Sequence, residues 1–232
     1  MTQEITLITG TSKGIGKFLA EYYLQKGHFV YGCSRGISTI QNPNYFHFSI
    51  NITDEAAVKE IFKTIKQKSL KLDNLINNAG IASMNHSLLT PMSTVENVFK
   101  TNVFGSFLFS REAVKLMQIN KYGRIVNFTT VAVPLRLEGE AIYAASKSAV
   151  ETLTKVLAKE FASYNVTINA IGPTPIQTDL IKSVPEDKIK KLIESQSIKR
   201  LGNFDDVQNV IDFYLNKNSN FITGQIIYLG GL

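Results

Sequence analysis

Two rhythms of apolar residues alternate along the chain. Short runs rich in β-branched and aromatic residues fall at 5–9, 29–33, 45–50, 72–76, 124–128, 166–171 and 225–229. Longer stretches in which apolar residues return every three or four positions fall at 17–25, 55–65, 95–117 and 141–161. A period near two over a few residues reads as strand, and a period near 3.6 over ten or more reads as helix. Most of the short runs are apolar nearly throughout instead of alternating, which is the pattern of strands buried on both faces. Strands separated by helices in this order predict an α/β domain: a Rossmann-like, doubly wound parallel sheet with helices on both faces. Between Ser34 and Tyr45 lie only ten residues, too few for a crossover helix with its turns, so a short connection is expected there.

Composition narrows the picture. The 232 residues show no repeat, linker or low-complexity segment, so one domain over 1–232 is expected, and 44% apolar content suits a globular core. The start of the chain lacks a charged leader followed by a long apolar stretch, and no run nears the roughly 20 apolar residues of a membrane span. A single cysteine, Cys33, excludes an internal disulfide. These features predict a cytoplasmic protein with no membrane partner. The net charge of +6 comes without a basic cluster interleaved with aromatics, so an anionic cofactor or an acidic carrier is expected and a nucleic acid is not. The histidines, His28, His47 and His86, lack ligand-like spacing, and no metal is expected.

Candidate chemistry sits at two places. The first strand runs into Gly10, Ser12, Lys13, Gly14, Ile15 and Gly16 and then a helix. There, backbone amides and a helix N-terminus can face a pyrophosphate, and absent side chains let it approach. Arg35, just after the second strand, and Lys13 can converge on a 2′-phosphate, which predicts NADP in preference to NAD. The second place is Tyr143 with Lys147, four residues apart, and Thr130 thirteen positions upstream of the tyrosine. On a helix the phenol and the ammonium share a face, and a neighbouring cation favours the phenolate.

Thr9 to Gly16, Asn77-Asn78-Ala79-Gly80, Asn102, the Thr130, Tyr143 and Lys147 set, and Phe221 to Gln225 together resemble the short-chain dehydrogenase/reductase family. Within that family the chain most resembles the 3-oxoacyl-acyl-carrier-protein reductases, which carry a step comparable to Arg200-Leu201-Gly202 before the last helix. The resemblance implies that Tyr143 gives a proton to the carbonyl oxygen and that Thr130 hydrogen-bonds it. Lys147 would bind the nicotinamide ribose and tune Tyr143, and Asn102 would hold a water behind Lys147. Asn78, Ala79 and Gly80 would lie beside the adenosine ribose, Asn51 and Ile52 beside adenine, and Pro173, Ile176 and Thr178 over the nicotinamide. Residues 175–200 would form a substrate lid, and helices around Asn102 and Tyr143 would build a homotetramer or homodimer.

Several positions depart from the family pattern: Thr130 for serine, Asn51 for aspartate, Pro173-Thr174-Pro175 for Pro-Gly, and Gly230-Gly231 for Asp-Gly. None removes the chemistry. The leading expectation is NADPH-dependent reduction of a 3-oxoacyl thioester, with Val133, Leu135, Ile142 and Ile176 as candidate acyl-pocket residues and an acyl carrier protein as possible partner. The basic lid residues Lys190 and Lys191, with Lys121, are candidates for docking it, although Tyr164 stands where a second arginine is common. Two alternatives remain: oxidation or reduction of a sugar or other small polar compound, and a non-catalytic NADP-binding regulator.

Overall fold

All seven expected strands pair in parallel in one sheet of order β3-β2-β1-β4-β5-β6-β7. They are β1 (Ile5–Thr9), β2 (Phe29–Ser34), β3 (Tyr45–Ser49), β4 (Asn74–Asn77), β5 (Gly123–Phe128), β6 (Val166–Gly172) and β7 (Ile226–Tyr228). The protein is described from a computed structural model covering residues 3–176 and 186–231. From β1 the chain builds outward to β3 and then returns to lay β4 on the other side of β1. That reversal opens a crevice at the carboxyl ends of β1 and β4, where ligands of open α/β sheets bind.

Alternate strand residues feed two cores. Leu7, Leu75 and Ile125 point to a face covered by α2 (Glu55–Ser69), α4 (Gly105–Met117) and α6 (Ala141–Phe161), where Phe62 and Phe109 pack edge to face. Ile8, Ile76 and Val126 point to the face covered by α1 (Gly14–Gln25) and α8 (Phe204–Leu215). All six of these strand side chains are essentially sealed from solvent, and each such burial stabilises by about 1.5–3 kcal/mol. Asn203 and Asp206 form a reciprocal cap on α8, and Arg200 grips Asp206 at 2.6 and 2.8 Å, which explains the Arg200-Leu201-Gly202 step.

Three features differ from the expected elements. The stretch 95–117 is α3 (Met92–Phe99), one π-helical turn (Lys100–Phe104) and α4. Within the stretch 175–200 lies a helix, α7 (Glu186–Ser195), whose Leu192 is buried. The glycine-rich turn is also tighter than expected, because α1 begins at Gly14. As expected, residues 35–44 contain no helix. Among the described residues no helix is long and apolar enough to cross a membrane.

Candidate active site

Two loops build the floor of the crevice. Thr9 Oγ1 accepts from the Ala79 amide at 2.9 Å, and Asn78 Nδ2 donates to the Thr9 carbonyl at 2.9 Å, so the turn after β1 and the turn after β4 are stitched together. Gly10 lies at φ +80° and Gly14 at φ +58°, in the left-handed region that glycine tolerates best. A Cβ on Gly10 would stand 3.0 Å from Ala79 Cα and close the cradle. The Lys13 side chain makes no capping bond to α1, and Gly14 and Ile15 of its first turn line the cavity, where a helix N-terminus favours an anion. A cavity of about 550 Å³ over this floor is lined by Gly10, Ser12, Lys13, Gly14, Ile15, Arg35, Asn51, Ile52, Asn78, Ala79 and Gly80, a set that suits an anionic dinucleotide. Gly16 is the exception: it is buried below the cavity against the Gly10 carbonyl and Asn78, where only a missing side chain lets α1 approach. Asn51 Oδ1 accepts from the Thr53 amide at 3.1 Å and so also shapes its own turn.

Thr130, Tyr143, Lys147, Pro173 and Ile176 line an adjoining cavity of about 530 Å³, whose walls share Ile15, Asn78, Gly80 and Ile81 with the first. The two are therefore one cleft. Leu135 and Ile176 line it as expected for acyl-pocket candidates, whereas Val133 faces a shallower hollow behind α5 (Ala132–Leu135) and Ile142 lines neither. Both differ from expectation for one reason: a single-turn helix and the start of α6 rotate successive residues to different sides. Met84, Leu137 and Leu192 complete the apolar wall. Thr178 and Lys182 lie outside the described residues.

Burial drives the two titratable groups of α6 apart. The Tyr143 phenol is pushed up to about 12, chiefly by desolvation, with a smaller upward push from Glu140; the nearby Thr130 hydroxyl pulls the other way. Desolvation brings Lys147 down to about 8. Lys147 Nζ donates to the Phe128 carbonyl at 2.8 Å, which fixes the ammonium at the end of β5. Glu140, also lining the cavity, has its carboxyl raised by burial, partly offset by Lys188.

Asn102 lines neither cavity. Sitting in the π turn and fully buried, it accepts from the Ile81 amide (2.9 Å) and donates to the Ile81 carbonyl (2.9 Å) and Ser146 Oγ (3.0 Å). It thus clamps the Gly80–Ile81 backbone to α6, one residue before Lys147. Thr129, whose hydroxyl neighbours Thr130 in the chain, donates to Glu151 at 2.5 Å, and Tyr228 donates to the same carboxylate at 2.6 Å. Thr130 is therefore the hydroxyl left to work with Tyr143. Glu151 escaped the sequence reading, although its spacing of four from Lys147 on one helix face was the available signal. The Pro173–Ile176 loop is held by Thr174 Oγ1 on Gln196 (2.5 Å) and by Gly202 N on the Pro175 carbonyl (3.1 Å).

Comparison with known proteins fits this geometry. The family model of short chain dehydrogenases matches residues 4–189. The chain is 34% identical to a 3-oxoacyl-acyl-carrier-protein reductase of Buchnera aphidicola over 99% of its length and 96% of the relative's. It is 30% identical to the protein of the same description from Escherichia coli, with 98% and 96% covered. Among solved structures, ElxO with NADP bound superposes with a TM-score of 0.90 at 31% identity, covering 98% of this chain and 97% of that one. An aldohexose dehydrogenase of Thermoplasma acidophilum superposes with a TM-score of 0.90 at 27% identity, covering 99% and 94%.

Proposed function

The chain belongs to the short-chain dehydrogenase family, and on that premise we propose that it is an NADPH-dependent reductase of a 3-oxoacyl thioester, giving the 3-hydroxyacyl product. The observation that carries this reading is the cleft itself, in which Thr130, Tyr143 and Lys147 stand at one end of an apolar cavity that opens onto the glycine-rich cradle. NADP(H) is the cofactor, held by the turn from Gly10 to Gly16, by Lys13 and Arg35 at the 2′-phosphate, by Asn51 and Ile52 at adenine, and by Asn78 to Gly80 at the ribose. The bound nicotinamide supplies the hydride.

The chain's own residues supply the proton and the positioning. With its phenol pushed up to about 12, Tyr143 keeps its proton at neutral pH and can donate it to an oxygen gaining negative charge. Thr130 gives that oxygen a second hydrogen bond, and its extra methyl limits the rotamers of the hydroxyl. Lys147, charged below about 8, favours the negative charge left on Tyr143 and contacts the nicotinamide ribose. Asn102 holds the Ile81 loop and α6 in register and retains the proposed water behind Lys147. Apolar walls from Leu135, Leu137, Ile176 and Leu192 fit an acyl chain and exclude water.

Relatives at about 30% identity that are named as carrier-protein reductases support the thioester and an acyl carrier protein as partner. Exposed Phe104 at the end of the π turn, Phe107 on α4's first turn and Val156 on α6 support assembly into a dimer or tetramer, which light scattering would measure. A second reading, reduction or oxidation of a small polar carbonyl or alcohol, is favoured by one observation: the Glu140 carboxyl lines the cavity beside Tyr143 and can accept hydrogen bonds from substrate hydroxyls. NADPH oxidation measured against acetoacetyl thioester and against a panel of hydroxyketones separates the two. Turnover of the thioester supports the first, and turnover of the hydroxyketones alone replaces it with the second.

A further inference from the structure

β2 and β3 are joined without a helix, so the turn Ser34–Gly36 that lines the adenosine end of the cleft has no crossover helix packed behind it. Strand β3 grips it instead. Ser49 Oγ donates to the Arg35 carbonyl at 3.1 Å. His47 Nε2 lies 2.9 Å from the Gly36 carbonyl, which also accepts from Ser34 Oγ at 2.8 Å. The other side of the ring reaches the glycine-rich turn: Nδ1 is 3.0 Å from the Tyr45 hydroxyl and 3.5 Å from Thr11 Oγ1, and Tyr45 donates to Thr11 at 2.9 Å. Thr11 is fully buried, and Gly32 lacks the side chain that would collide with the Tyr45 hydroxyl and Thr11 Oγ1. An imidazole with its proton on Nε2 donates to Gly36 and leaves Nδ1 to accept one hydrogen bond from this hydroxyl pair. One ring therefore bridges the two backbone segments that carry Arg35 and, two residues beyond Thr11, Lys13.

We infer that His47 is a positioning residue for cofactor selectivity: it locks the Arg35–Gly36 backbone against Thr11 so that the two cations converge on the 2′-phosphate that distinguishes NADP from NAD. The inference rests on the reading that Arg35 faces that phosphate. A side chain held at both ends of its cradle delivers a charge-assisted bond, whereas one on a loosened turn must first be ordered. The effect falls on NADPH and spares NADH, which has no phosphate there.

Calorimetric dissociation constants for NADPH and NADH, measured on the protein without substrate, test this. In His47→Leu the NADPH constant is expected to weaken about tenfold and the NADH constant by less than about twofold, on the scale of one lost charge-assisted contact. His47→Gln, whose amide can still donate to Gly36, recovers most of the loss. Tyr45→Phe keeps the ring packed while breaking the link towards Thr11, and gives a smaller loss of the same selectivity should the leucine variant fail to fold. Equal weakening of both cofactors would make His47 a mere scaffold, and an unchanged ratio would remove its role; either overturns the inference. Arg35→Ala tells where the fault lies. If it leaves the ratio unchanged, the phosphate assignment falls and the inference with it; if it collapses the ratio while His47→Leu and Tyr45→Phe do not, only the role of His47 falls.

Discussion

At the scale of single residues the site works because one environment moves two side chains in opposite directions. Withdrawal from water disfavours charge, so the phenol of Tyr143 holds its proton more tightly and the ammonium of Lys147 more loosely. Tyr143→Phe should therefore cut the reduction rate by roughly 10² to 10⁴, the range for a lost general acid, while the NADPH dissociation constant stays within about twofold. Thr130→Ser should remain active and Thr130→Val should not; native turnover by the valine variant would reassign the second hydrogen bond. The pH profile follows with a definite sign. Lys147 is charged below about 8 and neutral above, whereas Tyr143 stays protonated until about 12, so kcat/KM for reduction should fall as pH rises through about 8. In Lys147→Arg, whose guanidinium does not titrate in this range, any residual activity should lose that fall. A profile flat from pH 7 to 10 in the native enzyme would show that this charge does not matter. Thr130, Tyr143 and Lys147 were singled out because the Tyr143–Lys147 spacing shares a helix face and the surrounding motifs resemble the family's. Spacing could place Glu151 on the helix face of Lys147, but its role, like that of His47, lies in partners such as Gly36, Thr129 and Tyr228 that only the fold brings near.

At the scale of elements, strands and long helices were legible because hydrophobic period follows directly from burial, whereas their junctions depend on tertiary contacts. The π turn at Lys100–Phe104 interrupts a helical pattern without any break in its apolar rhythm, and what marks it is the buried amide of Asn102 tied to Ile81 and Ser146. The closing Gly230-Gly231 pair is explained the same way. Both residues are left-handed, and their carbonyls accept from the amides of Ile198 and Ser197, so the chain end holds the segment leaving α7. The turn between β1 and α1 was readable, and it offers a sharp test. Gly10→Ala must place a Cβ 3.0 Å from Ala79 Cα at φ +80°, a conformation costing an L-residue about 1–2 kcal/mol. The variant should still fold, with a midpoint lowered by several degrees, but its NADPH dissociation constant should rise by more than about tenfold because the turn must shift into the cradle. Native affinity in a folded Gly10→Ala protein would show that the cofactor does not lie over this turn.

At the scale of the whole molecule, the parallel sheet sorts function to one edge. Each strand delivers its carboxyl end to the same side, so the glycine-rich turn, Thr130 and the stretch Pro173 to Ile176 meet there, while Lys121 and Tyr164, which precede β5 and β6, lie at the opposite edge. The expectation that Lys121, Lys190 and Lys191 form one docking patch is therefore corrected for a single chain. Lys191 also lines the cavity, which leaves Lys190, exposed on α7, as the charge that can attract an acidic carrier without touching the chemistry. Lys190→Glu should lower kcat/KM for a carrier-bound 3-oxoacyl substrate about three- to tenfold at low salt, chiefly through slower encounter, and the deficit should shrink near 0.5 M salt, where the Debye length falls to roughly 4 Å. Turnover of a small uncharged thioester should stay unchanged. Lys121→Glu separates the monomer from the assembly: acting alone, one chain cannot bring that residue to its own cleft mouth, so a matching salt-dependent deficit would mean that a second copy supplies it. Should Lys190→Glu slow both substrates equally, α7 acts as part of the pocket wall and the carrier is docked by other residues.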